Sequence, residues 1–72
     1  MKEQLLAYAN EDLTLAEKHG GMCITDTKLG CINIDYCEKA KGFSAFANGV
    51  QYKNSISKAM MAEWVADQFI VE

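Results

Sequence analysis

"FSAFANGVQYKN", residues 43–54, decides the fold. Asn48-Gly49 is a two-residue pair that readily takes positive φ, and short apolar-rich runs lie on both sides of it. This is the strongest short-range hairpin signal a chain can carry, and the spacing predicts two strands joined by a tight turn. The competing reading is one longer, irregular strand through 43–53, which would leave the sheet with three strands instead of four.

Upstream, "MCIT" and "CINIDYC" flank "DTKLG", and both alternate in side-chain type. In the second run Ile32, Ile34 and Tyr36 share one face, and Cys31, Asn33, Asp35 and Cys37 share the other. "EKAKG" then reads as a polar turn into the 43–54 hairpin. Farther out, "EQLLAYANEDLTLAEKHGG" fits a helix. At 100° per residue Leu5, Leu6, Ala9, Leu13 and Ala16 fall in one core-facing arc, and Gly20-Gly21 supplies the stop. "TLAE" at 14–17 matches a capping box, so a break near Asn10 is the alternative to one continuous helix. "SISKAMMAEWVADQFIVE" predicts a second helix capped by Asn54 or Ser55. Its Met60, Met61, Trp64, Val65 and Phe69 sweep a wider arc than one sheet face requires. That predicts two contacts: the sheet, and either the first helix or a second copy of the chain in a homodimer. The expected fold class is therefore α+β, α-β-β-β(-β)-α, in one domain over residues 1–72. The expected core is Ile24, Ile32, Ile34, Phe43, Val50, Trp64, Val65 and Phe69.

A chain of 72 residues buries only about 60% of the surface its unfolded form exposes, so any added cross-link or partner matters to its stability. Half of the residues are apolar and 24% are charged, which excludes a disordered chain. The net charge of −3 is concentrated in residues 1–40, where seven acids face four lysines. All basic residues are lysine. Without arginine, the usual bidentate reader of phosphate and guanine, direct nucleic-acid recognition is not expected. The first residues, "MKEQLLAYANEDL", carry acids and no apolar core of a secretory signal, so cytoplasmic residence is expected.

The cysteines run His19-x3-Cys23-x7-Cys31-x5-Cys37. The cysteine spacing resembles that of a CCCH zinc finger, in which C-x7-C-x5-C-x3-H ends on the histidine. Here the position after Cys37-x3 is Lys41, and the histidine lies upstream. The resemblance covers residues 19–37 and implies a zinc set of His19, Cys23, Cys31 and Cys37. No C-x2–4-C pair is present, so the expectation is no metal and no cofactor. Cys23 and Cys31 could face each other across the hairpin. An odd count and a reducing compartment nevertheless predict no structural disulfide, with all three cysteines acting as small semi-apolar residues on the less apolar sheet face.

No catalytic set emerges. Asp26, Asp35 and Glu38 cluster in sequence around the strands, but a chain this short seldom encloses the cleft acid–base chemistry needs. On the first helix Tyr8 and Leu15 lie within about 20° of each other, off the core arc and beside Glu11 and Asp12. The expected function is non-enzymatic. An acidic, partly apolar face formed by Tyr8, Glu11, Asp12, Leu15, Asp26, Asp35 and Glu38 would bind a larger protein with a basic surface. Small acidic α+β chains of this type occur among phage and mobile-element products that inhibit or redirect host nucleic-acid-handling proteins, including anti-restriction and anti-CRISPR proteins. The alternatives are a regulatory or structural subunit of a bacterial complex and the Cys3His zinc module.

Overall fold

The computed structural model describes residues 2–55 and 57–70. Its elements run α1 (Lys2–His19), β1 (Gly21–Thr27), β2 (Gly30–Cys37), β3 (Gly42–Ala47), β4 (Val50–Ser55) and α2 (Lys58–Gln68). The four strands form one antiparallel sheet in the order β1-β2-β3-β4. This is the α+β architecture expected from the sequence, in its four-strand version.

Each turn has a local cause. Gly20, with φ 86°, donates its N–H to the Ala16 carbonyl at 2.7 Å and ends α1 in a left-handed cap. Asn48 and Gly49 both take positive φ, 54° and 77°, between the paired residues Ala47 and Val50. Two positive φ values match the twist of the flanking strands in a type I′ turn. α1 is continuous, and Thr14 does not cap it: its hydroxyl donates back to the Asn10 carbonyl at 2.8 Å.

All helix contacts fall on one sheet face. α1 packs on β1 and β2, α2 packs on β4 and β3, and the helices pack on each other. Ala9, Leu13 and Ala16 of α1 meet Ile24, Ile32, Ile34, Phe43, Ala45 and Ala47 of the sheet and Met61, Ala62, Val65 and Ala66 of α2 in one buried cluster. The apolar arc of α2 from Met61 to Phe69 thus meets two contacts within the chain, sheet and α1, while Met60 at its margin stays exposed. At about 25 cal/mol per Å² of apolar area removed from water, this cluster is the main source of stability.

Two expectations change, one about burial and one about capping. Val50 is 53% exposed, because it opens the edge strand at its turn end and lacks a neighbour on one side. Trp64 and Phe69 are largely covered, as expected, but pack against the margin of the core and not within it. The cap of α2 is Ser57, which accepts from the Met60 N–H at 3.3 Å, while Ser55 ends β4 and accepts from the Ser57 N–H at 3.0 Å. Ile56, Val71 and Glu72, assigned by sequence to that helix, lie outside the described residues.

The largest change concerns the cysteines. Cys23 and Cys31 form a disulfide, with Cα atoms 6.3 Å apart, and Cys37 is a free, exposed thiol. Cys23 pairs with Asn33, so Cys31 is its diagonal neighbour on the outward sheet face, within disulfide reach. The expectation of three free thiols rested on odd count and compartment, and hairpin geometry overrides both.

Candidate interaction surface

α1 presents three sides. Its core side carries Ala9, Leu13 and Ala16. The side toward α2 is marked by Lys58, whose Nζ donates to Thr14 Oγ1 and Glu17 Oε1, both at 2.8 Å. The remaining side carries Tyr8, Asp12 and Leu15, and it overhangs β1 because α1 lies above β1 and β2. Tyr8 is 55% and Leu15 45% exposed. Glu11 is exposed between them, and Ala7, Asn10, Glu11, Thr14 and Leu15 line a shallow depression open to solvent. Burial of Asp12, and after it the charge of Glu11, raises the Asp12 carboxyl above its ordinary range.

These four α1 residues, Tyr8, Glu11, Asp12 and Leu15, form one surface through i, i+3, i+4 and i+7 spacing. The other three acids of the expected face sit apart from it. Asp35 lies on the outward sheet face, opposite Gly21 of β1. Asp26 sits at the β1–β2 turn with φ 60°, and Glu38 sits in the β2–β3 turn. Those turns are at opposite ends of the eight-residue β2, about 25 Å apart by strand rise.

The zinc set is not assembled either. Cys31 and Cys37 are six residues apart along one extended strand, which separates them by about 20 Å, and Cys23 is already bonded to Cys31. A tetrahedral zinc needs its sulfurs about 2.3 Å from one centre. Among the described residues no group of three or more His, Cys, Asp or Glu could hold a metal ion.

Sequence reasoning missed two features. One is the disulfide, signalled by Cys23 and Cys31 on the same face of facing strands. The other is the hydrogen-bonding state of the sheet edges. β4 is broken by a bulge that shifts register between Ala45 and Phe46. β1 is regular from Gly21 to Ile24, and past its bulge it pairs at Thr27 with Phe69. There the Lys28 N–H donates to the Gln68 carbonyl at 2.7 Å and the Ile70 N–H donates to the Asp26 carbonyl at 3.3 Å.

Among the described residues no helix is long and apolar enough to cross a membrane. Compared with protein-family models, with curated proteins and with solved structures, the chain matches none of them.

Proposed function

We propose that this chain is a non-enzymatic interaction module that binds a larger protein with a basic surface through the Tyr8–Leu15 side of α1. The observation that carries this reading is the pair Tyr8 and Leu15. Two large apolar side chains stand open to solvent beside Glu11 and Asp12, while the core side of the same helix buries Ala9, Leu13 and Ala16. Tyrosine is enriched at the energetic centres of interfaces, and acids around it would steer a basic partner and raise the association rate.

A basic partner is what a nucleic-acid-handling protein presents. The most concrete version is therefore a phage or mobile-element inhibitor of such a host protein, of the anti-restriction or anti-CRISPR kind, acting in the cytoplasm. Asp26, Asp35 and Glu38 contribute to long-range steering in this reading. In a reducing cytoplasm the exposed Cys23–Cys31 bond is open to thiol reductants, and the hairpin turns and core must hold the fold without it.

The test uses a partner captured from the native host, identified by mass spectrometry and purified. Affinity is then compared for the wild type, Tyr8→Ala, Glu11→Lys and Met60→Ala. Loss at Tyr8 and Glu11, with affinity falling as salt rises, supports the reading. Loss only at Met60→Ala moves the interface to α2 and overturns it.

A further inference from the structure

The register of β1 identifies what its free edge offers. The Tyr36 N–H donates to the Gly20 carbonyl at 3.1 Å, which makes Gly20 and Tyr36 a hydrogen-bonded pair. Antiparallel pairs alternate, so Met22–Ile34 and Ile24–Ile32 also exchange backbone bonds. Gly21 and Cys23 then direct their N–H and C=O groups away from β2, to the open side of the sheet. Among the described residues nothing pairs with these four backbone groups, which stand in a row in a stretch with no bulge.

Three further observations converge on this edge. The far end of β1 already accepts backbone pairing from the chain itself, through one isolated antiparallel bridge between Thr27 and Phe69. Tyr8, Asp12 and Leu15 stand on the side of α1 away from α2, and α1 itself packs on β1, the strand that carries this edge. The other edge, β4, carries its bulge in mid-strand, a common device against strand addition, whereas the β1 bulge lies beyond Ile24.

We infer that the partner enters as an extended segment that adds to the Gly21–Ile24 edge of β1 beneath Tyr8 and Leu15, with lysine or arginine side chains at alternate positions facing Asp12 and Glu11. This deepens the proposed function and rests on it. Backbone bonds to Gly21 and Cys23 supply sequence-independent affinity, and the α1 side supplies selection: Asp12 and Glu11 take the basic head groups, and Tyr8 and Leu15 pack on their aliphatic stems. An extended strand presents alternate residues to one side, so basic residues spaced by two reach the α1 side together.

The probe is a short acetylated and amidated peptide alternating lysine and valine, titrated into the isotope-labelled, oxidised full chain and followed by amide NMR. Two versions are N-methylated, one on the odd and one on the even residues. The expected result is that the Gly21 and Cys23 amides shift and their hydrogen exchange slows at least about tenfold, the equivalent of 1.4 kcal/mol. Only one of the two N-methylated peptides should fail to bind, because a strand donates to an edge from alternate residues, and Tyr8→Ala should weaken the unmodified peptide about tenfold. Shifts confined to Tyr8, Glu11 and Leu15, equal for both N-methylated peptides, overturn strand addition and leave the α1 interaction reading standing. Absence of any shift at millimolar peptide overturns strand addition as well, and the native-partner assay with Tyr8→Ala then decides the broader reading by itself. A concentration-dependent dimer of the free chain that Tyr8→Ala dissociates makes a second copy the occupant and also overturns the inference.

Discussion

Cys23 and Cys31 are bonded to each other across the β1–β2 hairpin, on the sheet face that neither helix covers. The bond closes a short loop, with a sequence separation of 8, and it spans the irregular stretch between Ile24 and Thr27. Loop-closure entropy for that length gives about 2.5 kcal/mol. In a domain of this size that is a large share of the total. Urea unfolding with and without a phosphine reductant should therefore differ by about 2–3 kcal/mol. The Cys23→Ser/Cys31→Ser double variant should match the reduced protein. Thiol titration in denaturant without reductant should find one thiol, Cys37. Three thiols would show the bond to be absent.

Adjacent methionines on α2 make a paired test of how that helix is rotated. Met61 is fully buried among α1 and sheet residues, whereas Met60 is 55% exposed. Met61→Ala should cost about 2–5 kcal/mol, from lost transfer energy and the cavity left behind. Met60→Ala should stay within about 0.5 kcal/mol. Denaturant midpoints for the two variants check this. Similar losses at both sites would mean that α2 is turned about its axis relative to the sheet.

The elements were legible in the sequence where backbone chemistry is local. Asn48-Gly49, Gly20 and the alternation of Ile32, Ile34 and Tyr36 each point to one conformation, and together they narrow the sheet to three or four strands. The exposed Tyr8–Leu15 side also follows from helical angle alone. What the sequence left open depends on three-dimensional neighbours. Val50 reads as a core residue by type, and only its place at the turn end of an edge strand leaves it bare. Cys23 and Cys31 read as free thiols by count, and only the hairpin register puts them within bonding reach. Asp26, Asp35 and Glu38 are close in sequence but are divided by the length of β2. The β1 edge is not a sequence feature at all, since it exists only because the meander ends there.

Gly49 carries the tight turn between β3 and β4 at φ 77°, with space around it. A side chain there meets no neighbour, so the cost of Gly49→Ala is conformational: roughly 1–2 kcal/mol for an L-residue held in the left-handed region. Asn48, at φ 54°, tolerates that region better than alanine does, so Asn48→Ala should also destabilise. Asn48→Gly should be close to neutral. Equilibrium unfolding of the three variants distinguishes a type I′ turn, with this ranking, from a turn of another type.

Asp12 ties the candidate surface to pH. Burial, and secondarily the charge of Glu11, raise its carboxyl above the ordinary value of 3.8. A carboxyl with a raised folded-state pKa binds its proton more readily in the folded state than in the unfolded one. Across the window from 3.8 up to that raised value, the Asp12 contribution to stability therefore falls as pH rises. Below 3.8 both states are protonated and the penalty vanishes; above the window it is fully present. Asp12→Asn removes the charge while keeping size and polarity. The variant should thus be more stable than the wild type at neutral pH, and the difference should shrink to nothing as pH is lowered through the window. The check is the difference in unfolding free energy between the two proteins as a function of pH, in which the common titrations of other acids cancel. In the same variant the basic partner should bind more weakly at neutral pH, because the charge that destabilises the free chain is the one a lysine or arginine would neutralise. A variant that is less stable at neutral pH would mean instead that Asp12 is held by a favourable partner and that the acid side of α1 is built differently.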